Sequence, residues 1–506
     1  MRSSVHRVLP EVAISTLAGY EASGGGAGLR AAQAVAAETV LGELEASGLR
    51  GRGGAGFPTA TKWRTIMRYG SDVLRTSVVV NAAEGEPGTF KDRAIMRSNP
   101  YAVIEGALIA ATVVDSRSIT IATKARFALE SARMSEAVDE MRAAGWCEGV
   151  KIEVISGPSE YLYGEETALL EVVNGRPPFP RIAPPWRHGV VELVRNEADL
   201  HSGSGLTADV QKAGQMGVSI APPALVNNVE TLANVPAIIA NGAAWFRTLG
   251  TQNSPGTVVC TITGSVGHPL VVEVELGTPL RSVLDLARAS DRDAELAPIV
   301  AVMMGVSNVI LTAADLDTPV SYEAMSAIGT GLGSASFIVI DESTDPVALA
   351  AGVSRFLAVE SCGQCTPCKQ DGLAIFEGLR SLATEGGTEH DLALIERRLG
   401  TIADGARCNL ARQHQVVVGS ILGAFDDRVR VRLRPGVAPC EPVLVTELVA
   451  LDNGLVTLDD AFLTKRSDWT QVTNGSAPST GAPIEDPGSS PVDRLTDHRA
   501  AGSGSG

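Results

Sequence analysis

At 506 residues the chain is too long for one small core, and its net charge of −16 lacks the basic surface that a nucleic-acid binder needs for phosphate contacts. Hydrophobic content of 44% and charged content of 20% fit an ordinary globular protein. The 4% of aromatic residues points to cores built from Ala, Val and Leu.

The first residues, "MRSSVHRVLPEVAIS", show no long apolar run before a small-residue cleavage site, so no signal peptide is expected. Residues 1–245 alternate apolar runs with Gly-rich turns. "SVVVN" (Ser77–Asn81) reads as a buried strand and "AVIEGALIAATVV" as the helix after it. "SITIAT" and "VKIEVIS" read as further strands around a helix near Leu129–Ala144. This alternation predicts an α/β domain with function at the loops after the strands. Tyr101–Val114 is the most apolar early stretch, but it is short and carries Glu105, so it reads as a buried helix and not as a membrane span.

Near Gly250 the texture changes. "GTVVCTITGSV", "LVVEVELGTPLRSVLDLA", "IVAVMMGV" and "ASFIVID" predict short strands around one helix, an α+β domain over 250–342. Helical periodicity over 345–428 predicts a small bundle. "VRVRLRPG" and "CEPVLVTEL" then predict a closing β segment over 429–466, and the Ser/Gly/Pro/Asp-rich stretch 467–506 predicts a disordered tail.

Seven cysteines without an export signal indicate a reducing compartment, where clustered thiols mean metal or redox chemistry more often than disulfides. Cys362, Cys365 and Cys368 form C-x2-C-x2-C. Zinc sites usually use two separated pairs, whereas three thiolates in one run match a [4Fe–4S] cluster with a distant fourth ligand. Cys408, at a junction between two predicted helices, suits that place better than Cys440 in the β segment. Zinc or a dithiol switch is the alternative, and isolated Cys147 and Cys260 read as small buried hydrophobes.

"SGLRGRGGAGFPTATKW" (Ser47–Trp63) has little Cβ bulk, so its backbone can wrap a ligand and aim N–H groups at phosphate, with Lys62 as a fixed charge. It is neither a P-loop nor a clean dinucleotide fingerprint, and a flexible structural loop is the competing reading. "NAAEGEPGTFKDR" brings Glu84 and Glu86 to the end of a buried strand, and "YLYGEETALL" brings Glu165 and Glu166 to a helix start. First-turn carboxylates are also explained by the helix dipole alone. Asn227 and Asn228 in "PALVNNVETLANVP" either cap a helix or hydrogen-bond a heterocycle.

Taken in order, "GLRGRGGAGFPT…KW", "NAxEGEPGTFKDR", "Y…GEETALLE", "NNVETLANVP", "ESCGQCTPC" and the late Cys408 closely resemble the family of flavin-containing, NADH-oxidising subunits of complex I. NAD-reducing hydrogenases and NAD-dependent formate dehydrogenases share this module. The resemblance spans about residues 40–425. It implies an α/β flavin-binding domain, a β-grasp-like domain of the soluble-ligand-binding type, and a C-terminal helical bundle with the iron–sulfur cluster. It implies an oxidoreductase that takes hydride from NAD(H), or NADP(H), onto FMN and passes single electrons through a [4Fe–4S] cluster, or runs in reverse. By resemblance, Gly51, Gly53, Gly54, Ala55, Gly56, Lys62, Asn81, Tyr161, Gly164, Asn227, Asn228 and Thr231 surround FMN. Phe57, Glu84, Glu86, Glu165 and Glu166 face flavin or dinucleotide, with Glu84 and Glu86 as the catalytic pair. Cys362, Cys365, Cys368 and Cys408 ligate the cluster. The implied partner is a thioredoxin-like [2Fe–2S] subunit or another redox subunit, with no nucleic acid and no membrane span. The implied location is cytoplasmic, peripheral on a membrane complex through partner subunits.

The chain departs from the family pattern at Ala83, where Asp is usual, and at Tyr163, where Cys is common and bulk near the flavin ring is expected. Ala60 replaces a common Gly, Thr65 stands where an aromatic often stacks on adenine, and Trp186 is a substitute for that stack. Residues 187–215 look inserted. These departures support an alternative: an electron-relay or scaffold subunit that keeps the cluster and has altered or lost NADH oxidation.

Overall fold

Four apolar runs build the first sheet. β1 (Ser77–Ala82), β2 (Ser118–Lys124), β3 (Lys151–Gly157) and β4 (Ala224–Asn228) pair in parallel in the order β3-β2-β1-β4. The computed structural model describes residues 5–70, 75–190, 222–288 and 296–467. Most of the 187–215 insertion and the tail from 468 therefore lie outside the described residues. Val78, Val79, Val80, Ile119 and Ile121 are buried, as expected of a parallel sheet covered on both faces.

The helix Pro100–Val113 packs on β1 and is buried on nearly every side. Its Glu105 is kept inside by three donors: Tyr20 Oη at 2.7 Å, Gly26 N at 2.8 Å and Leu29 N at 2.8 Å. The carboxylate thereby caps the helix Ala27–Gln33, and its burial is offset by hydrogen bonds.

β4 is the strand of this sheet that the sequence pattern did not announce. It returns beside β1, on the side opposite β2, so the direction of strand order reverses between β1 and β4. Asn81 and Asn228 sit in register at that switch point, where open α/β sheets bind ligands.

The second sheet comprises β5 (Thr257–Gly264), β6 (Leu270–Glu275), β7 (Ile299–Met303), β8 (Leu311–Thr312) and β9 (Ser336–Asp341). Its order is β6-β5-β9-β7-β8, with β5 and β9 parallel and the other pairs antiparallel. The amphipathic helix Leu280–Arg288 covers it with Leu280, Val283, Leu284 and Ala287. The helices Pro346–Glu360, Thr366–Thr384, Glu389–Thr401 and Leu410–Ala424 form the C-terminal helical region. None of the helices among the described residues is long and apolar enough to cross a membrane.

The segment expected to be β over 429–466 is largely something else. Asp426–Val431 is helical, with Asp426 and Asp427 in its first turn and Arg428 and Arg430 in its last, the charge order that a helix dipole favours. Only the hairpin β10 (Leu448–Asp452) and β11 (Leu455–Leu458) is β structure. "CEPVLVTEL" up to Glu447 is extended but bonds to helix carbonyls: Cys440 N donates to Ala383 O at 2.9 Å and Val443 N to Ala348 O at 3.0 Å.

Candidate functional site

The glycine-rich loop joins the helices Ala37–Ser47 and Thr59–Tyr69. Gly51 N donates to Phe57 O at 2.8 Å and Thr59 N to Leu49 O at 3.0 Å, so the loop closes on a backbone stem. Gly56 has φ +62°, and a Cβ there would lie 2.5 Å from the Tyr322 ring. Tyr322 Oη donates to Gly51 O at 3.0 Å, and Arg52 N donates to Thr231 Oγ1 at 2.8 Å. The buried Arg52 guanidinium donates to Thr257 O at 3.0 Å and lies 3.7 Å from Glu230. The loop is therefore held from three sides and is not a floppy connection.

The acidic loop after β1 uses both glutamates. Glu84 accepts from Asp92 N at 3.0 Å and Arg93 N at 3.4 Å, at the start of the helix Lys91–Ser98. Burial, then the nearby Asp92, pushes its carboxyl up to about 8. Glu86 accepts from Val306 N at 2.7 Å, Tyr161 Oη at 2.6 Å and Ser307 Oγ, bridging to the loop after β7. Burial also raises its carboxyl, against the pull of these donors. Asn81 Nδ2 donates to Gly164 O at 2.8 Å, which joins this loop to the GEET segment.

Glu165 is the N-cap of the helix Glu166–Val173, accepting from Thr167 N at 3.0 Å and Ala168 N at 2.8 Å. Glu166 reaches across to Lys62 at 2.5 Å. Asn228 caps the helix Val229–Asn241 through Glu230 N at 3.0 Å, while its Nδ2 donates to Asp92 Oδ2 at 2.6 Å. Asn227 Oδ1 accepts from Trp63 Nε1 at 2.8 Å. Capping thus engages the side chains of Glu165 and Asn228, and both residues also face open space.

That space is a two-lobed cleft. The larger lobe, about 420 Å³, is lined by Gly53, Gly54, Ala55, Asn81, Ala83, Glu84, Glu86, Tyr161, Gly164, Glu165 and Asn228 among others. The smaller, about 270 Å³, is lined by Gly51, Gly53, Ala55, Gly56, Phe57, Lys62, Asn81, Gly164, Glu166, Asn227, Asn228 and Thr231. Every non-cysteine residue assigned to the site from the sequence lines one lobe or both. Sequence reasoning missed the far wall, where Ser307, Asn308, Gly333, Ser334 and Gln413 line the larger lobe. The signal for part of it was a second glycine-rich stretch, "GTGLGS" (329–334). The Asn308 Nδ2 group is buried without a hydrogen-bond partner.

Two departures sit differently from expectation. Ala83 does line the cleft. Tyr163 does not: it is fully buried in the apolar cluster of Val79, Ala122, Leu169 and Val226. Gly157 admits its ring, since a Cβ there would lie 2.2 Å from Tyr163 Cζ. Trp186 is exposed and is not among the cleft-lining residues.

The cysteine triplet follows the helix Pro346–Glu360. Gly363 turns the chain with φ +79°, Cys365 is the N-cap of the helix Thr366–Thr384, and Cys368 lies in its first turn. Cys408 closely precedes the helix Leu410–Ala424. Cys362, Cys365, Cys368 and Cys408 line one pocket, whose other walls include Leu162, Pro180, Ala406, Leu410 and Ala411. Cys440 is elsewhere, on the extended strap. Burial pushes the Cys368 thiol up to about 11 and Cys408 to about 12. Among the described residues, no three His, Cys, Asp or Glu side chains close around a single-ion site.

Comparison with known proteins follows the same division. The family described as the Nuo51 FMN-binding domain matches residues 44–237, and the NADH-ubiquinone oxidoreductase-F iron–sulfur binding region matches 348–432. The mitochondrial NADH-ubiquinone oxidoreductase 51 kDa subunit of Neurospora crassa is 32% identical over 406 residues, covering 78% of this chain and 77% of that protein. The F-type NADH-quinone oxidoreductase subunit of Streptomyces coelicolor is 35% identical over 400 residues, covering 77% and 81%. A crystal structure of an NAD+-reducing [NiFe]-hydrogenase in the H2-reduced state superposes with a TM-score of 0.67 at 31% identity, over 80% of this chain and 64% of that one. The chain thus spans less than two thirds of the hydrogenase chain that it matches. With these identities to the two oxidoreductase subunits sustained across more than three quarters of both chains, the protein belongs to the family of 51 kDa (F-type) subunits of NADH–quinone oxidoreductases.

Proposed function

We propose that this chain is the FMN-dependent, NADH-oxidising (diaphorase) subunit of a larger redox complex. Hydride from NADH, or NADPH, enters at the cleft, and electrons leave singly through a [4Fe–4S] cluster toward a partner subunit. The observation that carries this reading is a shared wall. Leu162, Cys408 and Leu410 line both the cleft and the thiol pocket, so the two sites abut.

The residues present fit both groups. Gly54 has φ +129°, with nothing closer to a would-be Cβ than Gly333 C at 4.0 Å, which leaves the backbone bare toward the cleft. The orphaned Asn308 amide supplies a donor without a protein partner. The thiol pocket offers four sulfur donors within otherwise largely apolar walls, and iron there would reverse the protonation that burial now favours. FMN held in the cleft would supply the chemistry that couples a two-electron hydride donor to a one-electron cluster.

The protein supplies position. In the smaller lobe, Lys62, Asn227, Thr231 and the N–H groups of the loop beyond Arg52 suit a phosphate end, since Gly51 N and Arg52 N are already bonded to Phe57 O and Thr231 Oγ1; Lys62 would divide its charge between that anion and Glu166. The larger lobe, with Glu84, Glu86 and Tyr161, suits the ring and the nicotinamide. Glu86, engaged by three donors, serves as a fixed anchor and not as a free base. Glu84, buried with a raised pKa, holds a proton over much of the neutral range. The relay alternative needs an obstructed or disarmed cleft; Tyr163 turns away from it, and both glutamates line it.

The domain limits 1–245 and 250–342 and the start of the helical region at 345 belong to the same proposal; the expected boundary at 428/429 does not, since it cuts the helix Asp426–Val431. The strand order β6-β5-β9-β7-β8 with one covering helix supports a β-grasp-like assignment for 250–342. A thioredoxin-like [2Fe–2S] subunit is the proposed partner, holding the chain peripherally on a membrane complex. Purified anaerobically, the protein is expected to carry flavin and about four irons, and to reduce ferricyanide with NADH or NADPH. Zinc in place of iron, or no flavin after reconstitution, would overturn this reading.

A further inference from the structure

The last described stretch, residues 438–467, lies beyond both family matches, which end at 237 and 432. It nevertheless touches all three parts of the fold. It runs along the helical region, where Gly352 permits close approach: a Cβ there would lie 2.0 Å from Val443 O. On the helix Lys91–Ser98, which follows β1, Arg93 Nη1 donates to Leu448 O at 3.0 Å and Val449 O at 2.9 Å. The hairpin turn at Gly454 rests on His268 of the second sheet region, since a Cβ there would lie 2.1 Å from His268 Nδ1.

At the centre of this strap is Glu447, buried and ion-paired with Lys124 at the end of β2. Gly85, between the two cleft glutamates, lies directly on that pair. A Cβ at Gly85 would be 2.7 Å from Lys124 Nζ and 2.9 Å from Glu447 Oε1. Gly85 has no left-handed φ, so the pair's proximity, and not backbone conformation, is what requires glycine. Lys124 Nζ also donates to Ser159 O at 3.3 Å, two residues before the Tyr161 that bonds Glu86. One ammonium thus supports both loops that meet at the Glu86–Tyr161 hydrogen bond.

We infer that Lys124 and Glu447 are positioning residues: their buried pair forms the floor under Glu84–Gly85–Glu86 and makes the C-terminal strap a determinant of the cleft's acidic wall. This rests on the reading of the cleft as the dinucleotide-oxidising site. A pair made from two distant parts of the chain forms only when the strap is seated, so the loop's position depends on the strap.

The test uses the flavin- and cluster-loaded protein with Lys124→Met, Glu447→Leu and the double variant. Lys124→Met leaves Glu447 with only Arg126, at 3.6 Å, and Glu447→Leu leaves the buried Lys124 without a carboxylate, while the double replaces the pair with apolar bulk and stays interpretable if a single variant fails to fold. Asp452→Asn is the control, because it removes only the hairpin's exposed pair with Arg97 at 3.1 Å. Hydrogen–deuterium exchange of residues 83–90 and the split between KM and kcat for NADH are measured. In the double variant, exchange is expected to rise about tenfold and KM about threefold, with kcat within about twofold, while Asp452→Asn changes neither. Unchanged exchange, or raised exchange with unchanged KM, overturns the inference. A wild-type protein that does not oxidise NADH overturns the functional reading instead, and the exchange measurement then decides the inference alone.

Discussion

The glycines of the Gly48–Gly56 loop should respond to alanine in a defined order. At Gly51 an added Cβ meets only Phe57, its O at 3.5 Å and its N at 3.8 Å, and the backbone is not left-handed. At Gly53 it meets Asn228 Cβ at 3.2 Å, a contact that a small shift relieves. At Gly56 it meets Tyr322 Cε1 at 2.5 Å and Cδ1 at 2.8 Å, on a backbone with φ +62°. The left-handed conformation costs alanine about 1–2 kcal/mol. Displacing a packed ring adds roughly 1–3 kcal/mol, so Gly56→Ala should cost about 2–5 kcal/mol. Tyr322 also donates to Gly51 O at 3.0 Å and accepts from Arg52 Nη1 at 3.0 Å, so its movement loosens the whole loop. Gly51→Ala should be neutral or stabilise by up to about 1 kcal/mol through the unfolded chain. Melting curves and FMN titration by fluorescence quenching report both effects. Gly56→Ala is expected to lower the melting transition by about 4 °C or more and to weaken FMN binding. Melting points of Gly56→Ala and Gly51→Ala within about 1 °C of each other would refute the reasoning.

Cys408→Ser is expected to reduce bound iron and abolish the cluster's low-temperature EPR signal, whereas Cys440→Ser, outside the thiol pocket, leaves both intact; equal loss in the two variants would contradict the ligand set. Glu84 rises from an ordinary 4.5 to about 8, so the folded state binds its proton more tightly than the unfolded state does. Its contribution to stability is therefore present below pH 4.5 and is lost progressively as pH rises through 8. Glu84→Gln should flatten that decline, and equal melting-point shifts for wild type and variant across that range would count against it. The buried Tyr163 hydroxyl has no hydrogen-bond partner, an arrangement that costs about 1–3 kcal/mol. Tyr163→Phe should raise the melting point and leave kcat/KM for NADH within about twofold; a changed kcat/KM would place Tyr163 in the cleft after all.

Much of the first sheet was legible because parallel strands buried on both faces leave continuous apolar runs such as "SVVVN" and "SITIAT". β4 was not, because "ALVNN" ends in two asparagines and runs straight into its helix, so its capping chemistry hides its strand character. The strap was misread for a related reason. "VRVRL" alternates at period two, yet flanking aspartates and arginines favour a helix, and the valines of "CEPVLVTEL" pack onto helices without a neighbouring strand. The near wall of the cleft could be read because its motifs are contiguous. The far wall could not, since Asn308 and Gln413 reach it only through tertiary folding.

The departures from the family pattern carry different weights once they are placed. Sequence alone groups Ala83 and Tyr163 as neighbours of one ring, because both lie in motifs that meet there. Both are buried in one apolar cluster, but only Ala83 also lines the cleft. Ala83 follows β1 into the cleft, while Tyr163, in the short helical turn Tyr161–Gly164, points away from the cleft and over Gly157. The added bulk of Tyr163 is therefore absorbed by the absence of a side chain at Gly157, whereas Ala83 has no such compensation within the cleft wall. The charge missing at Ala83 is also the charge that would lie beside Glu84, already raised by burial and by Asp92. A further carboxylate there would push Glu84 up again by like-charge repulsion, so alanine at this position leaves Glu84 easier to ionise than aspartate would. Of these two departures, Ala83 is thus the one whose chemistry reaches the proposed reaction, and it does so by tuning a neighbouring carboxyl while leaving the cleft open.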